Sequence, residues 1–167
     1  MVTTGDPAPD FTAPLANGDV DSFTLSEHLE SEAPIVLAFF PGAFTGVCTT
    51  EMCTFEDRLS VFEELEATVY GVSVDSPFAL NEFRDQNELS FGFLSDFEKE
   101  IIEAYDVRTD FADLGVYGIA KRSVFVIDAD GEITYAWVSD DPGVEPEYAE
   151  VEAAVEAAVE AAVEETG

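Results

Sequence analysis

Six apolar residues in a row, Ile35-Val36-Leu37-Ala38-Phe39-Phe40, lie between Pro34 and Pro41. A run of that length between two breakers predicts a strand buried on both faces. Upstream, alternating segments at 11–15 and 20–23 flank Asn17-Gly18, a good hairpin signal. They follow a turn-rich, extended opening, Gly5-Asp6-Pro7-Ala8-Pro9-Asp10-Phe11. Ser26 is the expected cap of a short helix carrying His28 and Leu29. Downstream the period changes. Met52, Phe55, Leu59, Phe62 and Leu65 recur at helical spacing, which predicts one helix from about Thr45 to Leu65. Residues 69–74 read as the next strand, and 77–86 as a helix with Leu80 and Phe83 inward. A short strand near 91–94 precedes a helix through Ile101, Ile102 and Tyr105, while 107–121, with Gly115 and Gly118, reads as loop. Finally, 123–127 and 133–137 flank Asp128-Ala129-Asp130-Gly131, a strong hairpin pattern.

Strands alternating with helices and ending in an antiparallel hairpin predict an α/β fold. The expected architecture is a central mixed sheet with helices on both faces and an N-terminal hairpin. No internal boundary is visible, so 1–167 is read as a single domain. The last segment carries Val151, Val155, Val159 and Val163, with Glu152, Glu156, Glu160 and Glu164 beside them. A four-residue step overshoots one helical turn by ~40°, so the valine stripe drifts but keeps to one broad face. A terminal helix docked on the sheet is expected. The repeat is neither heptad nor long, which argues against a coiled coil.

Charge changes the picture of the surface. Six basic residues against 37 acidic ones give −31 at pH 7. Such a surface repels phosphate backbones and anionic leaflets, which argues against nucleic-acid and membrane partners. At ~1 M salt the Debye length falls to ~3 Å and most self-repulsion is screened. Acid spread along the whole chain, with Lys99 and Lys121 the only lysines, predicts a protein of a halophilic cytoplasm. The alternative is a merely acidic protein of ordinary salt. The opening Met1-Val2-Thr3-Thr4-Gly5-Asp6 lacks the basic start of a signal peptide, and no run approaches ~18 apolar residues. A cytoplasmic, soluble domain is expected.

Candidate chemistry concentrates in residues 39–53, where a cysteine follows the buried strand at a helix start. With Thr45 as N-cap, Cys48 falls at the third helical position, where the helix dipole favours negative charge. A free thiol of pKa ~8.5 is only ~3% thiolate at pH 7; bringing it to ~6 needs ~3.4 kcal/mol. A helix terminus supplies ~1 kcal/mol, so a cation is also required. Arg122 is the candidate, because the strand that follows it can lie beside residues 35–40. Lys121 reads as a solvated charge. The competing reading of Cys48 is a small buried hydrophobe, and its place after a Pro-Gly-x-Phe-Thr turn argues against that. Asp75 follows a strand end but reads simply as a helix start with no catalytic role. Phe39, Phe44 and Phe55 are expected to pack around the site. Two cysteines and one histidine, His28, are too few soft ligands for a metal, and no cofactor is called for.

Pro41, Thr45 and Cys48 meet the pattern Pro-x-x-x-Thr-x-x-Cys, which resembles the active-site motif of peroxiredoxins. Thr49-Thr50-Glu51, residues 121–128 and the opening Pro7-Ala8-Pro9-Asp10-Phe11 resemble the same family, so the likeness covers nearly the whole chain. Residues 39–46 are similar to the one-cysteine alkyl hydroperoxide reductase E group. The Cys48-x4-Cys53 spacing instead resembles the bacterioferritin comigratory (peroxiredoxin Q) group. The resemblance implies a thioredoxin-like fold and thiol-dependent reduction of hydrogen peroxide and organic hydroperoxides. It implies Cys48 as the peroxidatic residue, Thr45 bonded to its thiolate, Pro41 as a shield, and Arg122 as stabiliser of thiolate and leaving oxygen. Backbone N–H groups near Val47 and Cys48 would complete the site. Glu51 would orient Arg122, or be an ordinary first-turn acid. A thioredoxin- or glutaredoxin-like reductant and a homodimer, paired by a sheet edge or by loops around the site, are further implications.

Cys53 is the implied resolving thiol. On an intact helix, residues five apart have Cα atoms ~8.7 Å apart, beyond the ~7 Å a disulfide tolerates, so the first turns would have to unwind. The alternative leaves Cys53 in the core and makes an external thiol the resolver. A non-enzymatic redox sensor or holdase on the same fold is the rival from another class.

Overall fold

The structure, a computed structural model, describes residues 2–166, and their side chains as far as residue 162. Val163 and Glu164 of the terminal stripe, and Met1 of the opening, therefore lie outside what is described in side-chain detail.

In chain order, β1 (Thr12–Ala16) and β2 (Val20–Thr24) form the predicted hairpin, followed by α1 (Leu25–Glu32) and β3 (Ile35–Phe39). Then come α2 (Gly46–Asp57), α3 (Leu59–Glu64), β4 (Thr68–Ser73), α4 (Pro77–Gln86), β5 (Gly92–Ser95) and α5 (Glu100–Ala104). The chain ends with β6 (Arg108–Phe111), β7 (Val116–Ala120), β8 (Ser123–Ile127), β9 (Ile133–Val138) and α6 (Tyr148–Thr166). Seven strands make one sheet in the order β2-β1-β5-β4-β3-β8-β9. The sheet is mixed: β3, β4 and β5 run parallel, and β8 returns antiparallel along β3.

All five residues of β3 are fully buried because each face of the sheet carries its own core. Val36, Ala38 and Phe40 point toward α2, α3, α4 and α6, and Val151 and Val155 of α6 join them. Ile35, Leu37 and Phe39 face the other layer, with Ile102 and Tyr105 of the α5 region. On α6 the drift of the four-residue step is visible directly. Val151 and Val155 are buried, Ala158 takes the next inward place, and Val159 is only half-buried. Gly71 in β4 answers a packing need: a Cβ there would lie 2.4 Å from the Phe93 ring.

Three expectations need correction. The N-cap position of α1 is Thr24, whose side chain makes no capping bond, and not Ser26, whose N–H and hydroxyl both donate to the Asp10 carboxylate. The helix expected over 45–65 is two helices. Arg58 leaves helical geometry (φ −99°, ψ 2°) and its guanidinium reaches Glu152 at 2.8 Å, yet Phe55 and Phe62 on either side both stay in the core. Apolar periodicity cannot register a break placed at a single polar residue. Lastly, 107–121 is not loop: β6 and β7 form a separate two-stranded ribbon, joined by a 3₁₀ turn that ends on Gly115 at φ 69°.

Among the described residues no helix is long and apolar enough to cross a membrane.

Candidate active site

The site is built where β3 ends. Pro41 is buried just beyond the strand, and the chain turns through Gly42-Ala43-Phe44 into α2. Thr45 is the N-cap by backbone geometry, which puts Cys48 at the third helical position as expected. The Thr45 side chain does not cap. Its hydroxyl donates to the Gly42 carbonyl at 2.9 Å, so the expected bond to the Cys48 sulfur is not made in this structure.

The antiparallel register of β3 and β8 pairs Phe39 with Ser123, so Arg122 emerges next to the end of β3. It is 2% exposed, and all three guanidinium nitrogens are engaged. Nη2 donates to Cys48 Sγ at 3.0 Å, Nη1 to Glu51 Oε1 at 2.7 Å and Nε to the Pro142 carbonyl at 3.1 Å. Cys48 itself is 1% exposed. Glu51 lies three residues beyond Cys48, and that spacing puts both acids on one helical face within reach of one planar fork.

Electrostatics at this triad are frustrated. Burial pushes the Glu51 carboxyl up to about 8; Arg122 opposes the rise and Glu145 adds to it. Oε2 of Glu51 is buried with no hydrogen-bond partner. For Arg122, burial favours losing the proton, but Glu51 and then Cys48 outweigh it and the net direction is up. One buried guanidinium thus serves two buried acidic side chains.

Over the site opens a cavity of about 590 Å³ that contains Cys48, Arg122, Pro41 and Thr45 in its walls. Its apolar side is the β6–β7 ribbon, through Phe111, Leu114, Val116 and Ile119. The aromatic shell expected around the sulfur is only partly there. Phe39 faces the opposite core layer, Phe44 is half-exposed and meets Phe83 edge-on, and Phe55 lies beneath with Cys48. Lys121, read as a solvated charge, pairs at the surface with the exposed Asp140 at 2.9 Å.

Sequence reasoning missed two contributors. The ribbon forms a cavity wall, and the apolar Phe111, Val116 and Ile119 on either side of Gly115 were its only signal. Asp75 also lines the cavity and accepts the Ala43 N–H at 2.8 Å. Its position at the carboxyl end of a parallel strand was the available hint.

Cys53 sits farther along α2, half-buried, with Sγ 4.0 Å from Asn87 Oδ1; burial, then Asp57 and Glu56, push its thiol up. Both cysteines are free thiols, and α2 is continuous between them. His28 is stacked on Phe23 and paired with Glu32, away from the sulfur site. Among the described residues no group of His, Cys, Asp and Glu is arranged to hold a metal ion.

Comparison with known proteins agrees with this geometry. Residues 4–136 match the AhpC/TSA family. The chain is 36% identical over 147 residues to a chloroplastic 2-cysteine peroxiredoxin of Chattonella marina var. antiqua, covering 83% of this chain and 72% of that protein. It is 39% identical over 104 residues to peroxiredoxin Bcp of Bacillus subtilis, covering 62% and 66%. The crystal structure of peroxidoxin BcpB from Mycobacterium tuberculosis superposes with a TM-score of 0.82 at 30% identity, over 94% of this chain and 98% of that one. The chain belongs to the AhpC/TSA family and is a peroxiredoxin, a thiol-dependent peroxidase on a thioredoxin-like fold.

Proposed function

We propose that Cys48 is the peroxidatic residue, acting on a hydroperoxide that enters the cavity above it. The observation that carries this reading is the 3.0 Å contact from Arg122 Nη2 to Cys48 Sγ at the cavity floor. The guanidinium sets its positive charge against the sulfur, at the N-terminal start of α2. The thiolate sulfur attacks the terminal peroxide oxygen, the O–O bond breaks, and the sulfur is oxidised by two electrons to a sulfenic acid. The departing alkoxide or hydroxide takes a proton and leaves as alcohol or water. Arg122 stabilises the oxygen as its charge grows. Glu51 holds the guanidinium, Pro41 shields the sulfenic acid, and Thr45 positions the peroxide once its hydroxyl leaves Gly42.

Cys53 then resolves the sulfenic acid. Its sulfur attacks Cys48 Sγ, water departs, and a disulfide forms that a thioredoxin- or glutaredoxin-like dithiol reduces. This step requires the first turns of α2 to unwind, because a regular helix holds the two Cα atoms ~8.7 Å apart. The continuity of α2 from Gly46 to Asp57 favours a second reading, in which an external thiol resolves Cys48 directly. The working form is a homodimer in a salt-rich cytoplasm. Exposed Leu114 and Tyr117 beside the cavity and the charge of −31 support those two statements.

Peroxide titration followed by mass spectrometry in molar salt tests the scheme. Wild type should consume one equivalent and lose two hydrogens as an intramolecular disulfide, Cys53→Ser should stop at a dimedone-reactive sulfenic acid, and Cys48→Ser should not react. Equal dimedone labelling of wild type and Cys53→Ser supports the external resolver. Peroxide consumption by Cys48→Ser at the wild-type rate refutes the assignment of Cys48.

A further inference from the structure

The turn between β3 and α2 is held in an unfavourable shape. Phe44 has φ 68°, in the left-handed region that a bulky side chain adopts only when its surroundings impose it. The Phe44 ring is no explanation, since it is half-exposed and touches Phe83 by an edge. The constraint comes from the residues on either side. Thr45 begins α2, its carbonyl accepting from the Thr49 N–H at 2.9 Å, and the Ala43 N–H donates to Asp75 Oδ2 at 2.8 Å.

Asp75 is itself fixed with unusual care. The Ser73 hydroxyl donates to the same Oδ2 at 2.7 Å, the Asp75 N–H returns to Ser73 Oγ at 3.3 Å, and the Ser95 hydroxyl donates to the Asp75 carbonyl at 2.7 Å. Ser73 and Ser95 face each other in the β4–β5 register and are 0% and 2% exposed. Hydroxyls are unfavourable to bury unless hydrogen-bonded, and these two spend their bonds on Asp75. The sheet end therefore supplies a rigid acceptor aimed at one backbone N–H of the strained turn.

We propose that Asp75 is a positioning residue for the peroxide reaction: it clamps the turn at Ala43, holds Phe44 left-handed, and so keeps the first turn of α2, with Cys48, against Arg122. This rests on the assignment of Cys48 made above. The clamp lies upstream of Phe44, so unwinding of α2 starts downstream of it, at Thr45. Release of the clamp lets the turn relax toward ordinary backbone angles and carries Cys48 off the guanidinium.

The test compares Asp75→Ala with Asp75→Asn in molar salt. Asparagine keeps an amide oxygen to accept from Ala43, whereas alanine keeps none. Single-turnover oxidation of Cys48 by hydrogen peroxide should fall about tenfold or more in Asp75→Ala, the loss expected for a hydrogen bond to a charged group. Asp75→Asn should stay within about threefold of wild type on the same hydrogen-bond scale. Hydrogen exchange at the Ala43 amide should quicken in Asp75→Ala alone. Should Asp75→Ala fail to fold, Ser73→Ala replaces it, with faster Ala43 exchange and a smaller drop in rate expected. Oxidation at the wild-type rate in Asp75→Ala, an equal loss in both Asp75 variants, or unchanged rate and exchange in Ser73→Ala overturns the clamp. Failure of the Cys48 assignment is distinguishable, since then Cys48→Ser would retain peroxide consumption.

Discussion

Replacing Glu51 by glutamine isolates the buried charge. Glutamine keeps an oxygen for Arg122 Nη1 and the shape of the side chain but cannot ionise. In the native chain burial pushes the Glu51 carboxyl from an ordinary 4.5 up to about 8. A carboxyl whose folded pKa is raised binds more protons folded than unfolded between those values. Stability is therefore fully kept below about 4.5 and falls as pH rises toward about 8. Integrated across that window at 1.36 kcal/mol per pH decade, the wild-type loss reaches about 5 kcal/mol at most. The remaining carboxylates are common to both proteins, so the difference between the two curves reports on the ionisation of residue 51. Urea unfolding in 2 M potassium chloride at half-unit steps from pH 5 to 8.5 should show Glu51→Gln gaining on wild type by about 1 kcal/mol or more per decade. The gain should level off above pH 8. Parallel curves across the range would falsify the assignment of a raised, titrating Glu51, and a crossing in the opposite sense would mean that Arg122 dominates over burial.

Other expectations follow from the same geometry. Arg122→Lys keeps the charge but replaces a planar fork with a single ammonium that cannot serve Sγ, Glu51 and Pro142 together. Peroxide oxidation of Cys48 should slow about 10- to 100-fold, read by stopped-flow competition, and a change under twofold contradicts it. Gly71→Ala puts a Cβ 2.4 Å from the Phe93 ring and should cost about 1–3 kcal/mol, visible as a lower calorimetric Tm that Phe93→Leu partly restores. Leu114→Asp places charge in the apolar wall of the cavity and should depress kcat/KM for cumene hydroperoxide about tenfold more than for hydrogen peroxide; an equal effect on both removes the wall from specificity. Raising potassium chloride from 0.1 to 2 M should raise Tm through screening of the −31 charge, and a flat profile argues against adaptation to salt.

What could be read from the chain, and what could not, divides along physical lines. The β3 run and the closing hairpin were legible because burial imposes apolar residues on a strand whatever its partners are. Arg122 was legible for a related reason: once two strands are taken as neighbours, a residue at the tip of one must fall near the end of the other. The β6–β7 ribbon was not, since Arg108, Thr109 and Asp110 lie outside the main sheet and carry no apolar stripe. The start of α1 at Thr24 was hidden because Asp10, distant in sequence, had taken Ser26. Asp75 was missed similarly, for its partner is a backbone N–H, and an N–H is identical in every residue but proline.

The scarcity of cations ties the surface to the site. Arg58, Arg108 and Lys121 pair with Glu152, Glu103 and Asp140, while Arg84 and Lys99 donate to backbone carbonyls. Of the six basic residues Arg122 alone is enclosed by protein, and it alone touches sulfur. Salt that screens exposed charges within ~3 Å at ~1 M acts far less on a buried contact. A strongly anionic surface can thus be tuned to its medium without altering the charge balance among Cys48, Arg122 and Glu51, provided the chain stays folded. Under the proposed mechanism, salt governs how much folded protein there is, and the buried triad governs how fast each folded molecule reacts.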